Sequence, residues 1–312
     1  MQATPGRSGA PRAALVSDAI RPSLERGGWA TVQGVYHSVV NLDAGPGLLT
    51  VCGPASGPLP NGVMLAETVD FLAAGLRPGM AVIFSARGIH VPVAGLIIDL
   101  GAAESWSPRL RGQPGPQPRE RWAERSATAR IAASRAARSR PGTTDGLGGL
   151  LGPGAAISPG PVARLALPRL VRLAAALGRD GDAEVEAAAT SLIGLGPGLT
   201  PSGDDALVGV AAACAALRPG GPAFLRVPAA SAHSQTTSIA ATFLRHAAAG
   251  EFAGRLHDLV AALLGEDPAD LAPAIERALS WGATSGADTL VGVLLGLDAL
   301  SGVRPVVLSR AA

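Results

Sequence analysis

Two stretches of the chain put hydroxyls and carboxylates at helix-start spacing beside glycine-rich backbone. Residues 194–209 read GLGPGLTPSGDDALVG, and residues 284–292 read TSGADTLVG. The shared core is S-G-x-D-x-L-V-G. In each copy a serine stands three residues before an aspartate, Ser202 before Asp205 and Ser285 before Asp288. That is capping-box spacing: the hydroxyl accepts from an amide of the first turn, and the carboxylate reaches back at the positive end of the helix dipole. Capping does not require the preceding GLGPGLTP. Four glycines (Gly194, Gly196, Gly198, Gly203) and two prolines within ten residues prescribe backbone angles. Amides in such a loop, ending on a helix N-terminus, form a nest for a small anion.

Gly196, Gly198, Thr200, Ser202 and Gly203 are therefore the first candidate binding residues, with Ser285, Gly286 and Asp288 of the second copy facing the same pocket. Asp204 and Asp205 repel an anion unless they cap, hold Mg²⁺ or accept a substrate N–H. One division of labour gives the acid group to the amides and Thr200. Asp205 then caps, and Asp204 faces a metal or an amide N–H. A third polar island, HSQTTSIA at residues 233–240, opens another helix. With Ser234 or Thr236 as its N-cap, Gln235 and Thr237 are spare groups. Gln235, Thr236 and Thr237 suit a carboxylate or an amide. No local pattern around His233 supports a hydrolase triad, and no catalytic residue can be named.

The composition removes several chemistries. All 26 basic residues are arginine, so no Schiff base and no Walker-type lysine can form. Residues 107–140 carry nine arginines against Glu120 and Glu124. This basic stretch fits a solvated helix face or the docking surface of an acidic partner. It lacks the interleaved run of aromatic stackers that would argue for nucleic acid. Cys52 and Cys214 have no metal-ligand spacing, and Cys214 lies in an alanine-rich helix as a small apolar residue. There is no secretory h-region and no apolar run long enough to span a bilayer, so the expected location is cytoplasmic, away from membranes.

The elements that position these groups change character along the chain. Residues 1–12 read as a disordered tail. From 13 to 100 the segments ATVQGVYHSVVNL, GLLTVCG and MAVIFSARGIHVPVAGLIIDLG are β-branched and punctuated by Gly, Pro and Asn, which predicts a small antiparallel sheet or barrel. LAETVDFLAAG (65–75) reads as a helical insertion. Residues 101–120 read as a linker or surface loop, and 121–312 as an all-α domain carrying the Gly-rich loop. Helical runs are predicted near 162–177, 182–193, 203–217, 235–249, 251–264, 268–280 and 286–301. The fold class is α+β. The helices after the repeated motif are apolar nearly all round and should be buried, with Gly209, Gly292 and Gly296 allowing close approach.

GLGPGLTPSGDD, SQTTSIAATFL, GEF and TSGADTLVG together resemble the AllH-like family, and VYHSVVNL resembles that family's opening segment more weakly. The family includes a subunit of oxamate carbamoyltransferase, an enzyme of allantoin catabolism. The resemblance implies carbamoyl transfer between carbamoyl phosphate and oxamate, or phosphorolysis of oxalurate in reverse. It implies a small anionic substrate (carbamoyl phosphate or phosphate, and an amide acid) and other enzyme subunits as partners. It does not say which subunit holds the catalytic groups; no cofactor is expected, with Mg²⁺ as the alternative. Two alternatives stand beside it. One is a Mg²⁺-dependent hydrolase with Asp204, Asp205 and Asp288 converging on the metal. The other is a non-catalytic assembly partner.

Overall fold

The computed structural model of the chain describes residues 10–45, 47–110, 119–140, 142–152, 159–179, 182–218, 221–265 and 267–305. Contacts divide the chain into one unit through Pro108 and a second from Arg109 onward, which is the α+β organisation expected from the sequence.

The first unit is a nine-stranded sheet. Its strands are β1 (Ala13–Ser17), β2 (Gly28–Val35), β3 (Val39–Asp43), β4 (Leu48–Cys52), β5 (Gly62–Leu65), β6 (Ala81–Ser85), β7 (Gly88–Val91), β8 (Leu96–Asp99) and β9 (Glu104–Trp106). The order is β8-β7-β6-β2-β3-β4-β5-β1-β9. Pairing is antiparallel except between β4 and β5 and between β1 and β9. A one-turn helix, α1 (Arg21–Arg26), follows β1. Period-two alternation sets the two faces: along β2, Ala30 and Val32 are buried while Trp29 and Thr31 face outward, and β6 buries Val82 and Phe84 in the same way. The ends of the sheet come together, because Asp99 at the close of β8 donates its amide to Pro11 O at 2.9 Å and bridges Arg12 just before β1. The sheet is therefore curled into a half-barrel around Val16, Val40, Leu42, Val63 and Phe71.

Three expectations need correction in this unit. Residues 10–12 of the predicted tail are tied to the sheet by the Asp99 contacts, while residues 1–9 lie outside the described residues. Residues 104–106 of the predicted linker form β9, and residues 111–118 of it lie outside the described residues. The predicted helical insertion at 65–75 is β5 ending at Leu65, then a single turn in which Ala74 N bonds Asp70 O and Leu76 N bonds Phe71 O. Phe71 and Leu76 both anchor that turn in the core, and no helix propagates from so short a segment.

The second unit is helical. It comprises α2 (Arg119–Arg138), α3 (Pro161–Leu177), α4 (Asp182–Thr190), α5 (Ser202–Leu217), α6 (Arg226–Ser231), α7 (Ser238–Ala248), α8 (Gly254–Leu264), α9 (Leu271–Leu279) and α10 (Ser285–Leu300). At its centre α5 and α10, sixteen residues each, lie against one another with almost every residue buried. The glycines of the repeated motif make this possible. A Cβ on Gly209 would fall 2.2 Å from Thr289 O, and one on Gly292 would fall 2.0 Å from Ala206 O. Further along, a Cβ on Gly296 would meet Ala213 Cβ at 2.7 Å. The contacts advance in the same direction along both helices, so the pair is parallel and its N-termini are adjacent. Cys214, inside α5, is a buried free thiol, and burial pushes its pKa up to about 12.

Part of the arginine-rich stretch proves to be structural. Along one face of α2, Trp122 Nε1 donates to Asp298 Oδ1 at 3.0 Å, Ser126 Oγ donates to the same oxygen at 2.7 Å, and Arg130 pairs with Oδ2. Asp298 is 1% exposed and Arg130 8%, so a buried ion pair joins α2 to α10. Arg125 donates to the carbonyls of Leu263 and Ala262 at 2.9 and 2.6 Å, satisfying the C-terminal end of α8. Neither arginine belongs to a solvated face.

Gly292→Val should destabilise the helical unit by about 3 kcal/mol, because a backbone carbonyl cannot move aside as a side chain can. Denaturant unfolding checks this, and a wild-type midpoint would refute the backbone contact. Arg130→Met should cost about 3 kcal/mol or more by leaving a buried carboxylate unpaired. Adding Asp298→Asn should recover most of that loss, since it removes the charge and keeps an acceptor for Trp122 and Ser126.

Candidate functional site

The two copies of the motif meet at one point. Thr200 Oγ1 lies 2.9 Å from Ser285 Oγ, so the loop before α5 touches the start of α10. Ser202 and Ser285 are the first residues of their helices. The N-cap positions fall to Pro201 and Thr284, neither with a side-chain cap bond. The capping box expected inside each helix is therefore not formed. Its partners are exchanged: the Ser285 hydroxyl, with Thr200, bonds toward Asp205, while the Ser202 hydroxyl stands beside Asp288. Each helix supplies the serine for the other's aspartate.

Three aspartates collect here in different states. Asp204, 1% exposed, has both oxygens engaged: Gly194 N donates to Oδ1 at 3.0 Å and Thr236 Oγ1 to Oδ2 at 2.5 Å. It ties the Gly-rich loop to the segment before α7. Burial raises its pKa, and these two bonds oppose the rise. Asp288, fully buried, accepts from Leu147 N at 2.5 Å on Oδ1, but its Oδ2 has no hydrogen-bond partner. Burial raises its pKa. Asp205 keeps a rim of exposed surface at residue level, yet its Oδ2 is covered and unpartnered. Burial, then the neighbouring charge of Asp288, lifts its pKa well above the ordinary carboxylate value, against the Ser285 and Thr200 hydroxyls. Two buried acceptor oxygens are thus left without donors, each carrying a desolvation cost of about 1–3 kcal/mol.

The loop itself has the expected backbone. Gly194, Gly196 and Gly198 have φ of 71°, 116° and 98°, angles that only glycine adopts without strain. Pro197, Gly198 and Leu199 are exposed. Among the described residues, the amides of Gly196, Gly198, Leu199 and Thr200 donate to no backbone carbonyl.

The remaining predicted residues divide by role. Gly203 and Gly286 are packing glycines: a Cβ would lie 2.0 Å from Leu192 O and 1.9 Å from Ala278 O respectively. Both are closed by matching bonds, Gly203 N to Leu195 O at 2.8 Å and Gly286 N to Trp281 O at 3.1 Å. Thr237, taken from sequence as a spare group, is the N-cap of α7. Its Oγ1 accepts from Ala240 N at 3.1 Å and donates to Leu199 O at 2.5 Å. The Gln235 side chain turns back to Ser231, 3.3 Å from its hydroxyl, and does not join the cluster. The sequence marks PGTTDGLGGLLGPGAAISPGP as a Gly/Pro loop long enough to suspect function or disorder but offers no site residue in it; its turn at residues 142–152 brings Leu147 to Asp288, and Gly146 has no room for a Cβ beside that carboxyl.

The aspartates share one cluster without forming a metal-ligand set among the described residues. Asp204 is consumed by Gly194 and Thr236, and among the described residues no three His, Cys, Asp or Glu side chains are gathered as a ligand set. The Mg²⁺-hydrolase alternative rested on Asp204, Asp205 and Asp288 converging on the metal; the three do meet in one cluster, but both Asp204 oxygens are already engaged. What the site does offer is a set of loop N–H groups near two carboxyls that each keep one oxygen without a hydrogen-bond donor.

A family model described as oxamate carbamoyltransferase subunit AllH matches residues 192–297, a span that contains both copies of the motif. A second model, the AllH family N-terminal domain, matches residues 12–105, the half-barrel. No solved structure matches the chain.

The raised carboxyl pKa values fix a pH dependence. The folded chain retains protons that the unfolded chain releases. The contribution of these groups to stability is therefore full below the ordinary carboxylate range and is lost as pH rises through their folded-state pKa values. Thermal unfolding followed against pH should show the midpoint falling as pH rises above about 4. Asp205→Asn should flatten that fall, and an unchanged profile would remove Asp205 from the raised set.

Proposed function

The chain belongs to the AllH family, and from that premise we propose that it is the amide-acid-binding subunit of a carbamoyltransferase-type enzyme that assembles with other subunits. The observation that carries this reading is the pairing of opposite hydrogen-bonding characters within one cluster. The amides of Gly196, Gly198, Leu199 and Thr200, which donate to no backbone carbonyl among the described residues, are suited to an acid's negative oxygens. Asp205 and Asp288 each hold an oxygen without a donor. A small amide acid presents the complement, a carboxylate at one end and N–H groups at the other. A plain phosphate presents only negative oxygens and meets like charge at the two carboxyls.

In such an enzyme the bond broken joins the carbamoyl carbon to a phosphate oxygen. The bond formed joins that carbon to the amide nitrogen, which loses a proton. Phosphorolysis of oxalurate is the same exchange reversed. Holding the amide nitrogen with its N–H groups on fixed carboxyls restricts its approach, which lowers the entropic part of the barrier. A carboxyl whose pKa is raised by burial also binds a proton more firmly than an exposed one. Thr236 and Gly194, through Asp204, hold the loop in register with the carboxyls. Among the described residues, no helix is long and apolar enough to cross a membrane, in keeping with a role among cytoplasmic enzymes of allantoin catabolism.

Calorimetric titration with oxamate, oxalurate and carbamoyl phosphate tests the assignment. Oxamate or oxalurate should bind, and Asp205→Asn and Asp288→Asn should each weaken that binding at least tenfold while the protein stays folded. Binding unaffected by both variants would refute the site. Binding of neither compound, by a chain that still co-assembles with other subunits, would favour the assembly role.

A further inference from the structure

The outer face of the half-barrel presents large apolar side chains to solvent. Register places Trp29 of β2 opposite Ile83 of β6, Ile83 opposite His90 of β7, and His90 opposite Ile97 of β8. Side chains directly opposite one another in antiparallel strands point to the same face, so these four form one row across the sheet. Trp29 is 70% exposed, Ile97 52% and Ile83 37%. Their neighbours in sequence Ala30, Val82, Phe84 and Ile98 turn inward and are buried. We propose that this row is the centre of an interface between two copies of the chain. The inference does not depend on the amide-acid site.

Exposed apolar residues scattered singly are ordinary, whereas a contiguous group of them is informative. In the helical unit Ile131, Leu165 and Val227 are exposed on α2, α3 and α6, one to a helix. In the sheet, the exposed apolar residues Trp29, Ile83 and Ile97 belong to a single row. That row crosses three strand spacings, about 14 Å. Trp29 is its bulkiest member, and tryptophan is enriched where protein surfaces meet.

Charge and symmetry point to a second copy as the occupant. Across β2, β6, β7 and β8 there is no arginine or glutamate, and the one aspartate, Asp99, ends β8 beyond the row. Its Oδ1 accepts from Gly101 N at 2.8 Å. Two identical faces can therefore meet without setting like charges against each other, which would cost several kcal/mol. The row is also self-complementary. A two-fold axis between β6 and β7 sets Trp29 against the copy's Ile97, and Ile83 against the copy's His90. Each apolar end then covers the other, as an isologous contact requires. Sheet faces pack in this way with their side chains interdigitated.

Sedimentation equilibrium of the full chain tests the proposal. A reversible monomer–dimer equilibrium is expected. Trp29→Glu and Ile97→Glu should each raise the dimer dissociation constant at least tenfold, with the wild-type circular dichroism spectrum retained, since both side chains already face solvent in the single chain. Val227→Glu, at an exposed apolar position on α6, should dimerise as the wild type does. A wild-type chain that stays monomeric overturns the proposal, whatever other subunit it joins. So does a dimer that both sheet variants leave intact, or one that Val227→Glu disrupts in their place. Failure of oxamate to bind bears on the amide-acid site alone.

Discussion

The helical unit depends on two parallel helices in backbone contact. Side by side and pointing the same way, α5 and α10 place two positive dipole ends together, which is unfavourable unless negative charge is supplied there. The chain supplies Asp204, Asp205 and Asp288, all within the first turns. The same contact demands Gly209 and Gly292, because a Cβ at either would penetrate the partner's carbonyl. The S-G-x-D-x-L-V-G pattern is the chemical description of this single contact. Serine and aspartate serve its polar end, and leucine, valine and glycine serve its apolar length.

Repetition of the pattern follows from the geometry. A parallel pair related by approximate two-fold symmetry presents the same surface from both sides, so each helix can carry the same residues. The exchanged partners, Ser285 with Asp205 and Ser202 with Asp288, are what that symmetry produces. The approach to each helix repeats as well: Gly203 bonds Leu195 and Gly286 bonds Trp281, both closing a loop against the preceding helix. The first loop is longer by three residues, and within it lie Pro197, Gly198 and Leu199, the exposed residues. Symmetry accounts for the shared framework, and departure from it marks where a ligand can enter.

Much of this was legible in the sequence because it is local. The β-branched residues of ATVQGVYHSVVNL and the Gly, Pro and Asn punctuation disclosed the sheet. The uniformly apolar run after each motif disclosed buried helices, and the glycine spacing disclosed close packing. What could not be read was pairing across distance. S-x-x-D has the spacing of a cap within one helix, and nothing in eight residues says that its partner lies eighty residues away. Asp298 looks like an interruption of α10 until Trp122, Ser126 and Arg130 are found around it. The arginine run reads as surface, yet Arg125 and Arg130 are consumed inside. The predicted helix at 65–75 had the composition of one, but the burial of Phe71 fixed a turn instead.

The charge at the motif also decides which ligands suit it. A helix N-terminus with free amides attracts phosphate, as phosphate-binding loops do. Here the positive ends are already met by the protein's own carboxyls, two of which hold an oxygen without a donor. An incoming dianion would add like charge to a low-dielectric region, where repulsion is least screened. A ligand bringing its own N–H groups instead relieves the unpaired oxygens, and its single negative end can remain outward at the exposed loop. A cluster that looks like an anion nest in sequence is therefore selective for a molecule that is part anion and part donor.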